Sequence, residues 1–315
     1  MTTYKEIRGT NIEAVASDPS NPVEGQVWYN TTTNVVKGLK VNPGSWATVN
    51  SMNTARYALG SAGTKTSALA FGGAAPPDSA LTESYNGTNW TEVNDLNTAQ
   101  PREGTGASNT AALAFGGNTA LTEKWNGTNW TEVNNLNASR YGIGTAGTNT
   151  AALGFGGDSG SQTAATELWN GTNWTEVNDL NTARRYLSGS GTQTAALGFG
   201  GREPSSASNK TELWNGTNWT AVNNLNQARS ALGGAGTQTS ALTFGGLLPP
   251  VSALTESWNG TNWTTLNSLN TAREGLGAAG TNNTSALAFS GNVPPVTTAT
   301  EEWNAGPLTI TFDVS

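Results

Sequence analysis

Two apolar patterns take turns along the chain. The first is a short run closed by glycine: SALAFGG from Ser67 to Gly73, then AALAFGG, AALGFGG twice, SALTFGG and SALAFSG, where Ser290 replaces the first Gly. In SALAFGG, Leu69 and Phe71 fall on one face and Ala68 and Ala70 on the other, because side chains alternate along a strand. Apolar residues on both faces predict a strand buried between neighbours. The second pattern is a polar–apolar alternation led by tryptophan, as in NWTEVNDL from Asn89. Between the two lies a strand-like segment with Leu81, Glu83 and Tyr85, joined to Trp90 through Asn86-Gly87. Asn-Gly tolerates positive φ and predicts a tight hairpin. Ahead of both, Arg56 to Thr64 (RYALGSAGT) is rich in Gly and Ala, which suits an innermost strand where backbones approach closely.

This four-strand unit occurs six times, starting at Asn53, Asn97, Asn137, Asn181, Asn226 and Asn270. A period of about 44 residues with four short strands predicts a propeller blade. The fold class expected is all-β, a six-bladed propeller of four-stranded blades with a short N-terminal arm. The third strands carry Tyr85, Trp125, Trp169, Trp214, Trp258 and Trp303. The fourth strands carry only Trp90, Trp130, Trp174, Trp219 and Trp263. GSWATVNSM, from Gly44 to Met52, matches the missing strand, with Trp46 as its tryptophan. The N-terminal segment is therefore expected to close the last blade and remove a free sheet edge; the rival is the C-terminal strand from Pro307 to Val314. The organisation that follows is an arm over 1–43, the propeller over 44–303 and a C-terminal strand or tail over 304–315.

Composition narrows the chemistry. Of 315 residues only 12% are charged, and the net charge of −7 leaves no basic footprint for nucleic acid. Cysteine and histidine are both absent. That excludes thiolate chemistry and removes the commonest general base and metal ligand. No cofactor, metal site or catalytic residue is expected, and neither a membrane span nor a secretory signal is apparent.

Against that framework, the unit resembles the Kelch repeat: the Arg before the inner strand, the apolar run ending in Gly-Gly, the aromatic of the third strand and the spaced Trp of the fourth. Gln100-Pro101-Arg102 and Ser290 depart from the pattern. The resemblance covers about residues 44 to 303. A second stretch, Pro22 to Trp46, resembles a short module of structural proteins of tailed bacteriophages, especially marine ones. Together these resemblances imply a non-enzymatic virion protein of tail, fibre or decoration type, made in the host bacterial cytoplasm and present in many copies. Its arm would bind other virion proteins, with Trp28 and Tyr29 as candidate attachment residues. Its loop face would meet host-surface carbohydrate. A purely architectural role and a carbohydrate-active enzyme are the alternatives.

Candidate binding residues come from the segments that differ between copies, since rigid scaffolds carry binding groups on loops. The loops after each Gly-Gly contribute Asp78, Asp158, Arg202, Glu203 and Lys210. The residues following the framework Arg contribute Tyr57, Glu103, Tyr141, Arg185 and Glu274. The recurring Arg56, Arg140, Arg184, Arg229 and Arg273, and the recurring Glu83, Glu123, Glu167, Glu212 and Glu256, are expected to be structural partners within each blade.

Overall fold

The computed structural model describes residues 12–74, 77–101 and 103–312, and among them it contains strands and no helix. Each of the first five repeats folds into a four-stranded antiparallel sheet whose strands lie in chain order. In the first these are Gly60–Thr64, Ser67–Phe71, Thr82–Tyr85 and Trp90–Val93. The sixth repeat begins a larger sheet of six strands: Gly277–Asn282, Ser285–Phe289, Thr300–Phe312, then Val35–Val49, Val27–Asn30 and Glu13–Val15. The architecture is propeller-like, built from repeated four-stranded sheets. The chain divides into two compact units, one spanning Gly44–Asn304, the other formed by the residues before and after it. Asn304 falls in the unit of the repeats, and residues 305–312 fall in the unit of the arm. Asp313 to Ser315 and residues 1–11 lie outside the described residues.

The two-faced apolar run explains how sheets stack. Ala68, Leu69, Ala70 and Phe71 are all fully buried. Leu69 and Phe71 pack on Ala112, Ala114 and Trp130 of the next sheet, while Ala68 and Ala70 receive Leu287 and Phe289. A large face therefore meets a small face at each junction, and each buried Leu or Phe contributes about 1.5–3 kcal/mol. The small inner-strand residues follow from this packing. A Cβ on Gly60 would sit 2.1 Å from the Phe71 ring, and one on Gly104 in the next sheet 2.4 Å from that same ring.

The outer-strand tryptophans tie neighbouring sheets through one repeated bond. The indole N–H of Trp130 donates to Thr82 Oγ1, Trp174 to Thr122, Trp219 to Thr166, Trp263 to Thr211, Trp90 to Thr300 and Trp46 to Thr255. A buried indole needs such an acceptor. Each threonine opens the third strand of the preceding sheet.

The recurring Arg and Glu are internal to each sheet. Arg229 is fully buried; its Nη1 donates to the carbonyls of Gly245 (2.7 Å) and Leu254 (2.8 Å), and its Nη2 to Glu256 (2.9 Å). Glu256 also accepts the Asn226 backbone N–H at 2.7 Å. Arg56–Glu83, Arg140–Glu167, Arg184–Glu212 and Arg273–Glu301 repeat the pair. Burial lowers the guanidinium pKa and the paired carboxylate opposes that fall. The second repeat places Gln100 in the Arg position, and its Nε2 donates to Thr119.

The hairpin turn differs from expectation. Tyr85 pairs with Trp90, so the loop has four residues, and only Gly87 has positive φ. Asn86 acts through its side chain, whose Oδ1 accepts the N–H groups of Thr88 and Asn89. An Asx-type cap replaces the two-residue turn.

Candidate functional site

A cavity of about 460 Å³ opens where the segments after the framework Arg converge. The third residue after each Arg forms an apolar collar: Leu59, Ile143, Leu187, Leu232 and Leu276, all nearly buried. Below the collar the inner strands line a smaller polar space of about 140 Å³.

Above the collar the backbone makes a rim. Ala58, Gly142, Tyr186, Ala231 and Gly275, each two residues after its Arg, have φ between 49° and 66°. This left-handed conformation lets each segment bond the next: Tyr186 N–H to Gly142 O, Ala231 to Tyr186, Gly275 to Ala231 and Ala58 to Gly275. Three of the five are not glycine. Non-glycine residues adopt this region at a cost of about 1–2 kcal/mol. The Tyr186 ring is held at the mouth and is 38% exposed.

The second repeat is one residue shorter here. Glu103 pairs with Phe115, as Gly60 pairs with Phe71, yet only Pro101 and Arg102 separate it from Gln100. Its carboxylate fills the gap, accepting the N–H of Gly142 at 2.6 Å and of Gly117 at 2.9 Å. Burial pushes its pKa up to about 7, against the pull of those N–H groups.

The cavity is chemically two-sided. Tyr57 stands between Glu274 on the preceding repeat and Glu103 on the following one, while Arg185, Arg202 and Tyr186 come from the fourth repeat. Arg185 Nη1 donates to Asp158 Oδ2 at 2.6 Å and to Tyr141 Oη at 2.9 Å. Its guanidinium lies 5.4 Å from the centre of the Tyr186 ring.

Five of the ten candidate loop-face residues thus line one cavity: Tyr57, Glu103, Arg185, Arg202 and Glu274. Tyr141 and Asp158 stand behind Arg185 and orient it. Asp78 is exposed on its own loop and is not among the lining residues. Glu203 and Lys210 pair with each other at 3.0 Å, also away from the lining. The loop from Ala74 to Ala80 includes residues 75 and 76, and the Gln100-Pro101-Arg102 departure includes residue 102; these three lie outside the described residues.

In the other unit, Trp28 is fully buried and donates to Asp18 Oδ1 at 3.0 Å. Asn30 and Lys37 bond the same carboxylate, which lowers its pKa to about 2. Trp28 therefore holds its own unit together and offers no surface. Tyr29 donates its hydroxyl to Asn34 at 3.0 Å.

The apolar collar and Tyr186 are functional features that sequence reading passed over. For the collar the signal was present, since Leu or Ile recurs three residues after every framework Arg; nothing local marks Tyr186. Compared with known proteins, the chain matches no family model and no curated protein.

Proposed function

We propose that this chain is a non-enzymatic recognition module of a bacteriophage virion. On this reading it is a closed six-bladed propeller of Kelch type whose mouth takes a host-surface carbohydrate. The cycle of Trp–Thr bonds supports closure: it passes through all six repeats and returns to its start only if the Trp46 strand completes the sixth blade. The resemblance of Pro22 to Trp46 to a phage structural module supports the virion setting.

The observation that carries the binding role is the mouth cavity. An apolar collar beneath a rim of a few convergent polar groups is the usual build of a small-ligand site. Among the described residues only Ile12, Val23 and Tyr186 are exposed large hydrophobics. Tyr186 stands at the mouth, and Ile12 and Val23 belong to the arm's unit. Among the described residues the repeats thus offer no broad apolar patch for packing against other virion proteins, which disfavours the purely architectural alternative. The arm's unit remains the attachment element, with Ile12 and Val23 in place of Trp28.

One observation favours a carbohydrate-active enzyme: Glu103, with its raised pKa, shares the cavity with Glu274. Both Glu103 oxygens, however, already accept backbone N–H groups, so the carboxyl is committed to holding the rim. A recognition role fits that better than general acid catalysis.

The test is an array of bacterial surface polysaccharides probed with labelled wild-type protein and with Leu247→Trp, which places an indole in the cavity from its half-buried rim position. Binding by the wild type that the variant loses supports the reading. Equal binding by both moves recognition away from the mouth.

A further inference from the structure

The fourth repeat differs from the others in charge. Each of the repeats with a described rim joins the residue after its Arg to the first residue of its loop as a bridged pair: Tyr57 with Ala74, Tyr141 with Asp158, Ser230 with Leu247, Glu274 with Asn292, and Arg185 with Arg202. The last is the only like-charged pair among them. Arg185 and Arg202 exchange both backbone N–H···O bonds, at 3.1 and 2.7 Å. Directly opposed residues project their side chains to the same side of a two-stranded ribbon, and like charges there repel.

Arg185 has a counter-ion in Asp158, but its Nε is buried with no hydrogen-bond partner. Arg202 has no side-chain hydrogen bond or ion pair among the described residues, although it lines the cavity. On the fourth repeat's side of the cavity Asp158 counters Arg185 alone, so Arg202 leaves a place there for an anion. Guanidinium groups bind planar carboxylates through paired N–H donors. Beside them Tyr186 presents an aromatic ring, held in a left-handed backbone conformation. Across the cavity Glu274 provides an acceptor for hydroxyl donors.

We propose that the ligand is a carboxylated sugar unit, its carboxylate on Arg202 and Arg185, one face of its ring on Tyr186 and its hydroxyls toward Glu274. The inference rests on the carbohydrate-binding reading above and adds the acidic class of sugar. The cavity narrows below the collar, which selects a terminal unit over the middle of a chain.

The experiment is titration of the full chain with methyl β-glucuronoside, methyl β-glucoside and glucose 6-sulfate, followed by ligand-observed NMR. Arg202→Gln and Tyr186→Ala are measured alongside, with thermal midpoints to confirm folding. The expected result is binding of the glucuronoside at least tenfold tighter than the glucoside. That preference is lost in Arg202→Gln and weakens as salt rises. Equal binding of glucuronoside and glucoside, unaffected by Arg202→Gln, overturns the acidic-sugar proposal and leaves the carbohydrate reading standing. Equal binding of the sulfated and carboxylated sugars overturns the carboxylate assignment. Absence of binding by all three probes, with the array also negative, overturns both.

Discussion

At the residue scale, two kinds of position store cost for opposite reasons. The Arg–Glu pairs are buried where charge is expensive, and each is stable because the guanidinium also satisfies two backbone carbonyls. Removing one partner leaves the other charged and buried, which costs about 3–5 kcal/mol. Glu256→Gln is therefore expected to lower the unfolding free energy, measured by urea denaturation, by an amount in that range. A loss below about 1 kcal/mol would show that the pair is not the clamp its geometry describes. Tyr186 is the opposite case. Its φ of 53° suits glycine, so Tyr186→Gly relieves strain and is expected to stabilise the fold by up to about 1 kcal/mol. The same change removes the exposed ring and should abolish sugar binding. Greater stability together with lost binding is the signature of strain held for function. A destabilised Gly variant would mean that Tyr186 serves packing instead.

At the element scale, the informative feature is the rim, where one repeat is a residue short and a side chain does the work of a backbone carbonyl. The raised pKa of Glu103 gives this substitution a pH dependence. Folded Glu103 holds its proton up to about 7, while the unfolded chain releases it near the ordinary 4.5. Between those values the native state binds more protons, so stability falls as pH rises from about 4.5 to about 7 and is level above that. At about 1.4 kcal/mol per pH unit the effect is at most about 3 kcal/mol. Glu103→Gln should flatten that slope in denaturant melts taken across the range; an unchanged slope would assign it to other carboxylates. Much of this element was legible beforehand. The order of strands, the buried two-faced run and the structural standing of the Arg and Glu follow from alternation and repetition alone. The rim was not legible, because left-handed residues such as Tyr186 and Ala231 carry no local signal. Their conformation comes from bonds to the neighbouring repeat. The hairpin was legible but the form of its turn was not: Asn86-Gly87 suggests a backbone turn, whereas the asparagine caps through its side chain. Trp28 is a candidate attachment residue in sequence, since nothing there reveals that Asp18 meets its indole.

At the scale of the whole molecule, the proposed closure would make the repeats more than an array. A linear stack of sheets ends in two unpaired faces, whereas a ring leaves none and couples the first repeat to the last. Under the proposed closure, the strand bearing Trp46 performs the same task as the outer strand of any other repeat, and the geometry allows a matched comparison. Trp46 donates to Thr255 at 2.9 Å, lies 4.7 Å from Phe244 and 5.4 Å from Trp303. Trp263 donates to Thr211 at 3.0 Å, lies 5.1 Å from Phe199 and 5.3 Å from Trp258. The two tryptophans are buried to 6% and 5% exposure. A Trp→Ala change in such a site costs about 3–5 kcal/mol from lost burial and the cavity left behind. If the N-terminal segment closes the ring, Trp46→Ala and Trp263→Ala should lower stability by the same amount within about 1 kcal/mol, measured as urea midpoints under one set of conditions. A strand merely resting on the last repeat would peel away, and Trp46→Ala would then cost far less than Trp263→Ala. That inequality would refute closure through Trp46.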